Sequence, residues 1–347
     1  MGRLFKAALI LAPLAMMIFF NNCGGNKVQF TAMAQSQNSS NGPDSGNSPS
    51  SVPTYVQLSP YVNAIAFEDL YYPPGTKCTD CPDYDYNDFM TEFQIVEQTN
   101  AQNNVTDIYV DFYPRAVGAG YDHSLLMVLT GTKTTASANS DILPTTAPMF
   151  NGSATVTLTY YDQNGNVIGT PTNPAYNQDI VIFPSTHGIF GNVNGGNIID
   201  TVIPSGFLTG VPSNYIPAQQ NARLHIVLDD PASNPAPASG QIDPSTFRVM
   251  LHVKPTNFDI DIINVDPKNF DANGYPWGFI IPTDWNWMKE GQKIDNGYPT
   301  FAQYRQSLMG QAAPGTNSTW YNYPVSDPNN TYLYPSIPFQ NVLPAIP

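Results

Sequence analysis

Short segments in which apolar and polar residues alternate recur through most of the chain, and this pattern limits the fold more than any other feature. In the segment VTDIYVDFY, Ile108, Val110 and Phe112 fall on one face of an extended backbone. Asp107 and Asp111 fall on the opposite face, because successive side chains of a strand point to opposite sides. Each such segment therefore predicts a half-buried β-strand.

Eight or more of these segments follow one another without the spacing of amphipathic helices between them. The segment ATVTLTYYDQNGNVIG places Asn164-Gly165 between two strand-like runs, which is the strongest short-range signal of a β-hairpin. Further predicted strands are EFQIVEQ, HSLLMVLT, DIVIF, ARLHIVLDD, FRVMLHV and FDIDII. We therefore expect a mainly β fold, an antiparallel β-sandwich or jelly-roll-like domain.

One short C-terminal helix is predicted in the segment PTFAQYRQSLMG. Pro299 suits the first turn of a helix, and Gly310 is typical of the position after its end. Between them, Phe301, Tyr304 and Leu308 recur at helical spacing and would share one face. We expect this helix to cap one end of the sandwich.

The N-terminus has the pattern of an export signal. Two basic residues precede an apolar run from Ala7 to Phe20, which is the length of a signal-peptide core and too short for a transmembrane helix. The run ends just before Cys23, and this order resembles a bacterial lipoprotein signal, in which the cysteine becomes lipidated. Residues 1–22 are therefore predicted to be a lipoprotein signal peptide. Ordinary cleavage near Ala34 is the alternative.

The segment from the lipidated cysteine to residue 54 is predicted to be a disordered linker. Residues 23–54 are rich in Ser, Asn, Gly and Pro, the composition of a flexible tether. A folded β-domain with a Pro-rich C-terminal tail would then span residues 55–347. Gly24 stands where an acidic residue would signal retention in the inner membrane, so the outer membrane is the favoured destination.

The charge balance argues against one class of partner. The chain has 13 basic and 27 acidic residues and a net charge of −14. Electrostatics therefore oppose binding to nucleic acid or to an anionic lipid surface. Cations are the expected small partners.

The segment CTDCPDYDYNDF concentrates acidic and amide side chains. Oxygen donors at alternate positions would share one face of an extended backbone, and two more carboxylates lie just upstream. Oxygen ligands at this density suit Ca²⁺. The predicted calcium ligands are Asp83, Asp85, Asn87, Asp88, Glu68 and Asp69. The alternative is an acidic turn whose side chains accept hydrogen bonds from backbone amides.

The same segment carries a CxxC pair, Cys78 and Cys81. In an exported chain whose third cysteine is lipidated, this pair is predicted to form a disulfide. A redox pair would need a βαβ context, and a zinc knuckle would need a second cysteine pair. The sequence offers neither.

Motifs spread over most of the chain resemble the LruC-type domain of bacterial exported and surface lipoproteins. FEDLYYP and DYDYNDF match its amino-terminal signature, YPRAVGAGYDHS its RAxGA strand, and PWGFIIPTDWNWMKEG, IDNGYPTFAQY and WYNYP its carboxy-terminal pattern. The resemblance runs from Ala66 to Tyr323 and implies a surface β-domain without assigning a reaction. Its signature residues here are Phe67, Glu68, Asp69, Leu70, Asp83, Asp85, Asn87, Asp88, Arg115, Gly118, Gly120, Tyr121, Trp277, Trp285, Glu290, Tyr298, Pro299, Phe301, Trp320 and Tyr321.

Three further features bear on binding or catalysis. Arg115 follows an aspartate-rich strand face, and we expect it to pair with Asp111 or with the acidic segment.

Aromatic residues gather toward the C-terminus, where they would stack on a sugar, anchor a protein partner or fill a core. The candidate ligand-binding residues among them are Trp277, Trp285, Trp320 and Tyr321. The sequence contains no GxSxG, HExxH or Walker motif.

Together these features predict a lipid-anchored envelope protein that is not an enzyme. Its β-domain, with calcium bound, would serve in surface display, adhesion or envelope structure, with a glycan or a surface protein as partner. One alternative is a carbohydrate-active hydrolase, in which Glu68 and either Asp83 or Asp85 flank a glycosidic bond. The other is a purely structural protein with no ligand.

Overall fold

Antiparallel sheets account for most of the regular structure in this computed structural model, and short helices contribute little. The structure describes residues 54–57, 62–69, 83–129, 148–190, 207–208, 211–212, 218–236, 248–261, 271, 273–282, 285–289, 291–313, 316–329, 331–333 and 343–346. They belong to one compact unit, Ser51–Pro347. The predicted signal peptide, Cys23 and nearly all of the linker lie outside the described residues, as do Cys78 and Cys81. Among the described residues, no helix has the length and apolarity needed to cross a bilayer.

The strands and helices of the described residues are numbered in chain order. The strands are β1 (Thr54–Gln57), β2 (Asn63–Phe67), β3 (Phe89–Thr99), β4 (Val105–Ala116), β5 (His123–Val128), β6 (Ala154–Tyr161), β7 (Val167–Thr172), β8 (Ile180–Phe183), β9 (Phe207–Leu208), β10 (Val211–Pro212), β11 (Asn221–Leu228), β12 (Arg248–Val253), β13 (Phe258–Asp261) and β14 (Gly278–Pro282). The α-helices are α1 (Thr186–Ile189), α2 (Ile294–Gly297) and α3 (Phe301–Leu308), and 3₁₀ turns span Pro231–Ser233 and Trp320–Asn322.

Two main sheets form the framework, and all pairings among the described strands are antiparallel. The larger sheet has eight strands in the order β14-β2-β3-β4-β11-β6-β7, with β1 paired to the far end of β3. The smaller sheet has four strands in the order β13-β12-β5-β8. A separate two-stranded pair joins β9 and β10. The predicted mainly β, antiparallel fold is confirmed.

The sandwich core lies between the inner faces of these two sheets. Ile108, Val110 and Phe112 of β4 are buried in one apolar cluster with Leu125 of β5 and Leu251 of β12. The alternation in the sequence thus assigned the inward face of β4 correctly. Burial of such side chains is the main favourable contribution to folding, at about 25 cal/mol per Å² of apolar surface.

The predicted hairpin connects β6 and β7. Asp162 and Asn166 close the turn, with Asp162 N donating to Asn166 O at 2.8 Å. The Asp162 carboxylate also accepts from the backbone N–H groups of Asn164 and Asn166, each at 2.8 Å. Gly165 has φ +80°, a conformation that glycine adopts without steric cost. The Asn-Gly signal is therefore confirmed.

A second apolar cluster covers the outer face of the large sheet at its β14-β2-β3 end. On β2, Ile65 and Phe67 belong to the sandwich core, whereas Ala64 and Ala66 belong to this second cluster. The two alanines are small, so aromatic rings can approach the sheet closely. We call these rings the aromatic layer: Tyr84, Tyr86, Tyr275, Phe279, Trp285, Trp287, Tyr298, Phe301 and Trp320.

Helix α3 is present where the sequence predicts a helix, but it packs elsewhere than expected. Phe301 is fully buried, and its ring meets that of Trp320 at 4.8 Å between centroids, inclined at 80°. Tyr304 packs against the same cluster. The helix therefore lies on the aromatic layer and does not cap an end of the sandwich.

Candidate metal centre

Two acidic segments, Glu68-Asp69 and residues 83–88, lie side by side because β2 and β3 run antiparallel. Glu68 and Asp69 directly follow β2, and residues 83–88 directly precede β3. The two strands are antiparallel neighbours, and Phe67 stands opposite Phe89 in their register. The end of β2 and the start of β3 therefore lie side by side, and so do the acidic side chains attached to them.

Two tyrosines with an uncommon backbone conformation shape the second segment. Tyr84 and Tyr86 have φ values of 58° and 56°, a region that non-glycine residues rarely adopt. The ring of Tyr84 stacks on Tyr275 at 3.9 Å, and the ring of Tyr86 packs on Phe279 at 4.5 Å. The Tyr86 hydroxyl also donates to Pro276 O at 2.7 Å. These contacts hold both tyrosines in the aromatic layer and stabilise the turn between the acidic side chains.

The carboxylates form two triads that share one residue. Oxygens of Glu68, Asp83 and Asp85 lie within 4.8 Å of one another, and so do oxygens of Glu68, Asp69 and Asp88. Ca²⁺ holds its oxygen ligands at about 2.3–2.6 Å, so two ligands of one ion are at most about 5 Å apart. The spacing of each triad suits a shared cation. We call the following six predicted ligands the acidic site: Glu68, Asp69, Asp83, Asp85, Asn87 and Asp88.

Glu68 is the most unusual member of the acidic site. Its side chain is fully buried, and neither carboxylate oxygen has a hydrogen-bond donor among the described residues. The neighbouring group, Asp88, is itself a carboxyl and can bond to Glu68 only if one of the two holds a proton. The side-chain amide of Asn87 is also buried, and it has no hydrogen-bond partner within the described part of the chain. Buried polar groups are normally satisfied, so these atoms point to an additional ligand.

Backbone amides orient two of the aspartates. Asp85 accepts from Gly291 N at 2.7 Å and from Asn87 N at 3.3 Å. Asp88 accepts from Asp69 N at 2.5 Å. The alternative of a hydrogen-bonded acidic turn therefore describes part of the site, but these bonds do not satisfy Glu68.

A buried histidine lies beside the site, and the sequence pattern did not single it out. His123 Nε2 is 2.8 Å from Asp69 Oδ2, and its Nδ1 is 3.1 Å from Thr186 Oγ1 on α1. Three segments that are distant in sequence meet here, so no local spacing could have predicted the contact. The histidine in the YDHS motif was the one available signal.

The electrostatics of the site oppose a fully ionised state without a cation. Burial raises the pKa of the Glu68 carboxyl well above its usual range, and the charges of three aspartate neighbours raise it further. Burial and the adjacent Glu68 likewise raise the pKa of Asp88, and burial raises that of Asp83. The site must therefore hold protons or bind a cation, since like charges at this distance repel strongly.

The carboxylates proposed for a glycosidase do meet, but their setting suits a cation better. Glu68 lies within 4.8 Å of Asp83 and Asp85, measured between carboxylate oxygens. Glycosidase carboxyl groups stand about 5–9.5 Å apart with a sugar between them. Because Glu68 is also fully buried, a polysaccharide would have no contact with it.

The candidate ligand-binding tryptophans are interior residues. Trp277, Trp285 and Trp320 are 3%, 5% and 2% exposed, so these rings offer no surface to a glycan or protein partner. Trp277 belongs to the sandwich core and the other two to the aromatic layer. Tyr321 is half-buried and meets Trp320 edge to face at 5.8 Å. Of the alternatives left open by the sequence, the burial of these three tryptophans favours core packing over ligand binding.

Arg115 forms an ion pair with Glu92, a partner that the sequence did not predict. Its Nε donates to Glu92 Oε2 at 2.5 Å. Asp111 instead accepts two hydrogen bonds from Arg223, at 2.7 and 2.8 Å. The register of β11 and β4 places Arg223 directly opposite Asp111, which explains the exchange of partners.

Comparison with known proteins gives one family match and one structural likeness. Residues 254–321 match a family model described as "Domain of unknown function (DUF4842)", a stretch that includes α2, α3 and much of the aromatic layer. The chain is similar in structure to a crystal structure described as a "Putative lipoprotein from Bacteroides ovatus", at 14% identity and a TM-score of 0.45. That similarity covers 79% of this chain and 75% of the other. No curated protein sequence matches the chain.

Proposed function

We propose that this chain is a lipid-anchored protein of the bacterial cell envelope, in the outer membrane, whose LruC-type β-domain is stabilised by Ca²⁺. Its role is display, adhesion or envelope structure, with a glycan or a surface protein as partner, and not catalysis. Residues 1–22 are the signal peptide, residues 23–54 the acylated linker and residues 55–347 the domain. Cys23 carries the lipid, and Cys78 and Cys81 form a disulfide.

The proposal of a calcium site rests on one observation, the burial of the Glu68 carboxylate without a hydrogen-bond donor among the described residues. A fully buried carboxylate without a donor partner is costly unless a proton or a cation compensates it. The groups around it offer oxygen atoms, which are the preferred ligands of Ca²⁺. Mg²⁺ fits less well, because it demands oxygen ligands at about 2.0–2.1 Å in octahedral geometry and keeps several waters.

The position of the site supports a structural role for the ion. Asp85 is bonded to Gly291 N, and Tyr84 O accepts from Ile294 N at 2.9 Å. The acidic segment therefore links the β2-β3 pair to the C-terminal segment that carries α2. A cation bound there would stabilise the junction between the large sheet and the aromatic layer.

The family assignment rests on the order of the sequence motifs. The stretch that matches the domain of unknown function coincides with the carboxy-terminal motifs of the LruC-type resemblance. The six residues of the acidic site all belong to the amino-terminal motifs of the same resemblance. The two halves of the signature thus meet in one part of the fold.

Calcium binding to the purified full chain in mild detergent tests the proposal. We expect calorimetry to detect binding, and thermal melting to shift upward in excess Ca²⁺ relative to chelator. At about 100 times the dissociation constant, the stabilisation is about 2.7 kcal/mol, or roughly 4–5 °C for a domain of this size. The Asp83→Ala, Asp85→Ala double variant should weaken both effects, because it removes two of the carboxylates of the acidic site.

A matched control separates the site from the general acidity of the chain. Asp229 and Asp230 are exposed and adjacent, so the Asp229→Ala, Asp230→Ala variant removes two carboxylates outside the site. It should bind Ca²⁺ as the unmodified chain does. Identical melting of the unmodified chain with chelator and with Ca²⁺ would refute the calcium proposal.

A further inference from the structure

The two triads of the acidic site differ in their aspartates and have Glu68 in common. We propose that the acidic site holds two cations, one in each triad, with Glu68 bridging them. This inference rests on the proposed calcium function and adds the number of ions and the role of Glu68.

The first argument is the availability of the Glu68 oxygens. A carboxylate that bridges two ions directs one oxygen to each. Both oxygens of Glu68 are buried without a donor partner among the described residues, so both are available to cations. A single ion would leave the aspartates of the other triad close together without a cation between them.

The second argument is charge. Five carboxylates take part in the two triads, and all five belong to residues that are buried or half-buried. One Ca²⁺ compensates two of these negative charges, and two Ca²⁺ compensate four. Uncompensated charge in the interior is strongly unfavourable, so the doubly occupied site is the one that the burial of these groups favours.

The third argument is the neutral donor beside the carboxylates. The amide of Asn87 is 3% exposed and has no partner among the described residues, so its oxygen is free to act as a ligand. Ca²⁺ takes six to eight oxygen ligands and accepts amide oxygens as well as carboxylates. The donor set is therefore larger than a single triad.

The two positions should exchange at different rates. Asp83 is half-buried, so the triad that contains it has a route to solvent. Glu68, Asp69 and Asp88 are all buried, at 0%, 3% and 7% exposure. We expect a chelator to remove the ion of the Asp83 triad first and that of the Asp88 triad more slowly.

Native mass spectrometry of the purified full chain, with Ca²⁺ as the only added metal, counts the ions directly. We expect two bound ions in the unmodified chain and one each in Asp83→Asn and Asp88→Asn. Glu68→Gln should lose both. Asp107→Asn is the control, because Asp107 pairs with His225 outside the site, and it should keep two ions.

The outcomes separate this inference from the calcium proposal. One ion in the unmodified chain would overturn the bridged pair and leave the calcium proposal standing, whereas no ion would overturn both. Two ions that both survive Glu68→Gln would overturn the bridging role. If a variant does not fold, judged by circular dichroism, the count for the unmodified chain still decides between one ion and two.

Discussion

At the scale of single residues, Glu97 provides a test of buried charge away from the acidic site. It lies on β3, two positions after Ile95 of the sandwich core, and is 2% exposed. Its Oε2 has no hydrogen-bond partner among the residues that the structure describes. Burial raises the pKa of its carboxyl to about 7. The folded state therefore binds a proton more tightly than the unfolded chain, so stability falls as the pH rises from about 4.5 to 7.

Glu97→Gln should remove this penalty. We expect the variant to gain about 1–2 kcal/mol in the free energy of unfolding near pH 8, less than the full shift implies because solvent screens part of the charge. Near pH 4 the gain should vanish, since the glutamate is then protonated in both states. Urea denaturation at the two pH values measures the difference. Asp229→Asn, an exposed control, should change stability by less than about 0.5 kcal/mol at either pH. A gain independent of pH would refute the argument.

Residue spacing predicted which acidic side chains cluster, but it did not predict their contacts with residues from distant parts of the sequence. Asp83, Asp85 and Glu68 do meet, because they lie at the adjacent ends of β2 and β3, which pair antiparallel. The contact of His123 with Asp69 depends on which strands of different sheets become neighbours. The pairing of Asp111 with Arg223 likewise depends on the register of strands far apart in sequence. A single sequence does not show which distant strands become neighbours, so it could predict neither of these two contacts.

At the scale of elements, the aromatic layer is the feature whose loss should be most costly. Trp320 is 2% exposed and meets the rings of Phe279, Phe301 and Tyr298 at 5.2, 4.8 and 5.1 Å. Trp320→Ala should cost about 3–5 kcal/mol, because it removes a large buried ring and leaves a cavity. Denaturant unfolding measures the cost.

Tyr323→Ala is the matched control for this substitution. Tyr323 is an aromatic residue only three positions away but is 58% exposed. Its replacement should change stability by less than about 0.5 kcal/mol. Equal effects of the two substitutions would show that the aromatic layer contributes no more than surface packing.

Helix α3 illustrates what the element pattern can and cannot predict. Its start, end and apolar face were correct, because proline, glycine and helical spacing act locally. Its docking surface was wrong, because the outer face of the large sheet was assumed to be solvated. The segment NAIAF of β2 held the relevant signal, since an apolar residue at every position from Ala64 to Phe67 indicates a strand covered on both faces.

At the scale of the whole molecule, the proposed membrane attachment depends on one residue, Cys23. Cys23→Ala should abolish incorporation of labelled fatty acid and release the chain from the membrane fraction. Cys78→Ala is the control, because this cysteine belongs to the CxxC pair, and it should stay labelled. Metabolic labelling followed by fractionation measures both effects. Labelling that is absent from the unmodified chain would support ordinary cleavage near Ala34, and labelling that persists in Cys23→Ala would show that another residue carries the lipid.

The pairing of β14 with β2 bears on the order in which the domain folds. Gly278 of β14 pairs with Phe67 of β2, so the edge of the large sheet beside the acidic site joins distant parts of the chain. Pairing of strands far apart in sequence costs the conformational entropy of closing a long loop before the new contacts stabilise the fold. For this reason all-β domains fold in about milliseconds to seconds. We therefore expect the acidic side chains to stay exposed until late in folding. Calcium would therefore bind late in folding, after the C-terminal part of the chain has been synthesised and β14 has paired with β2.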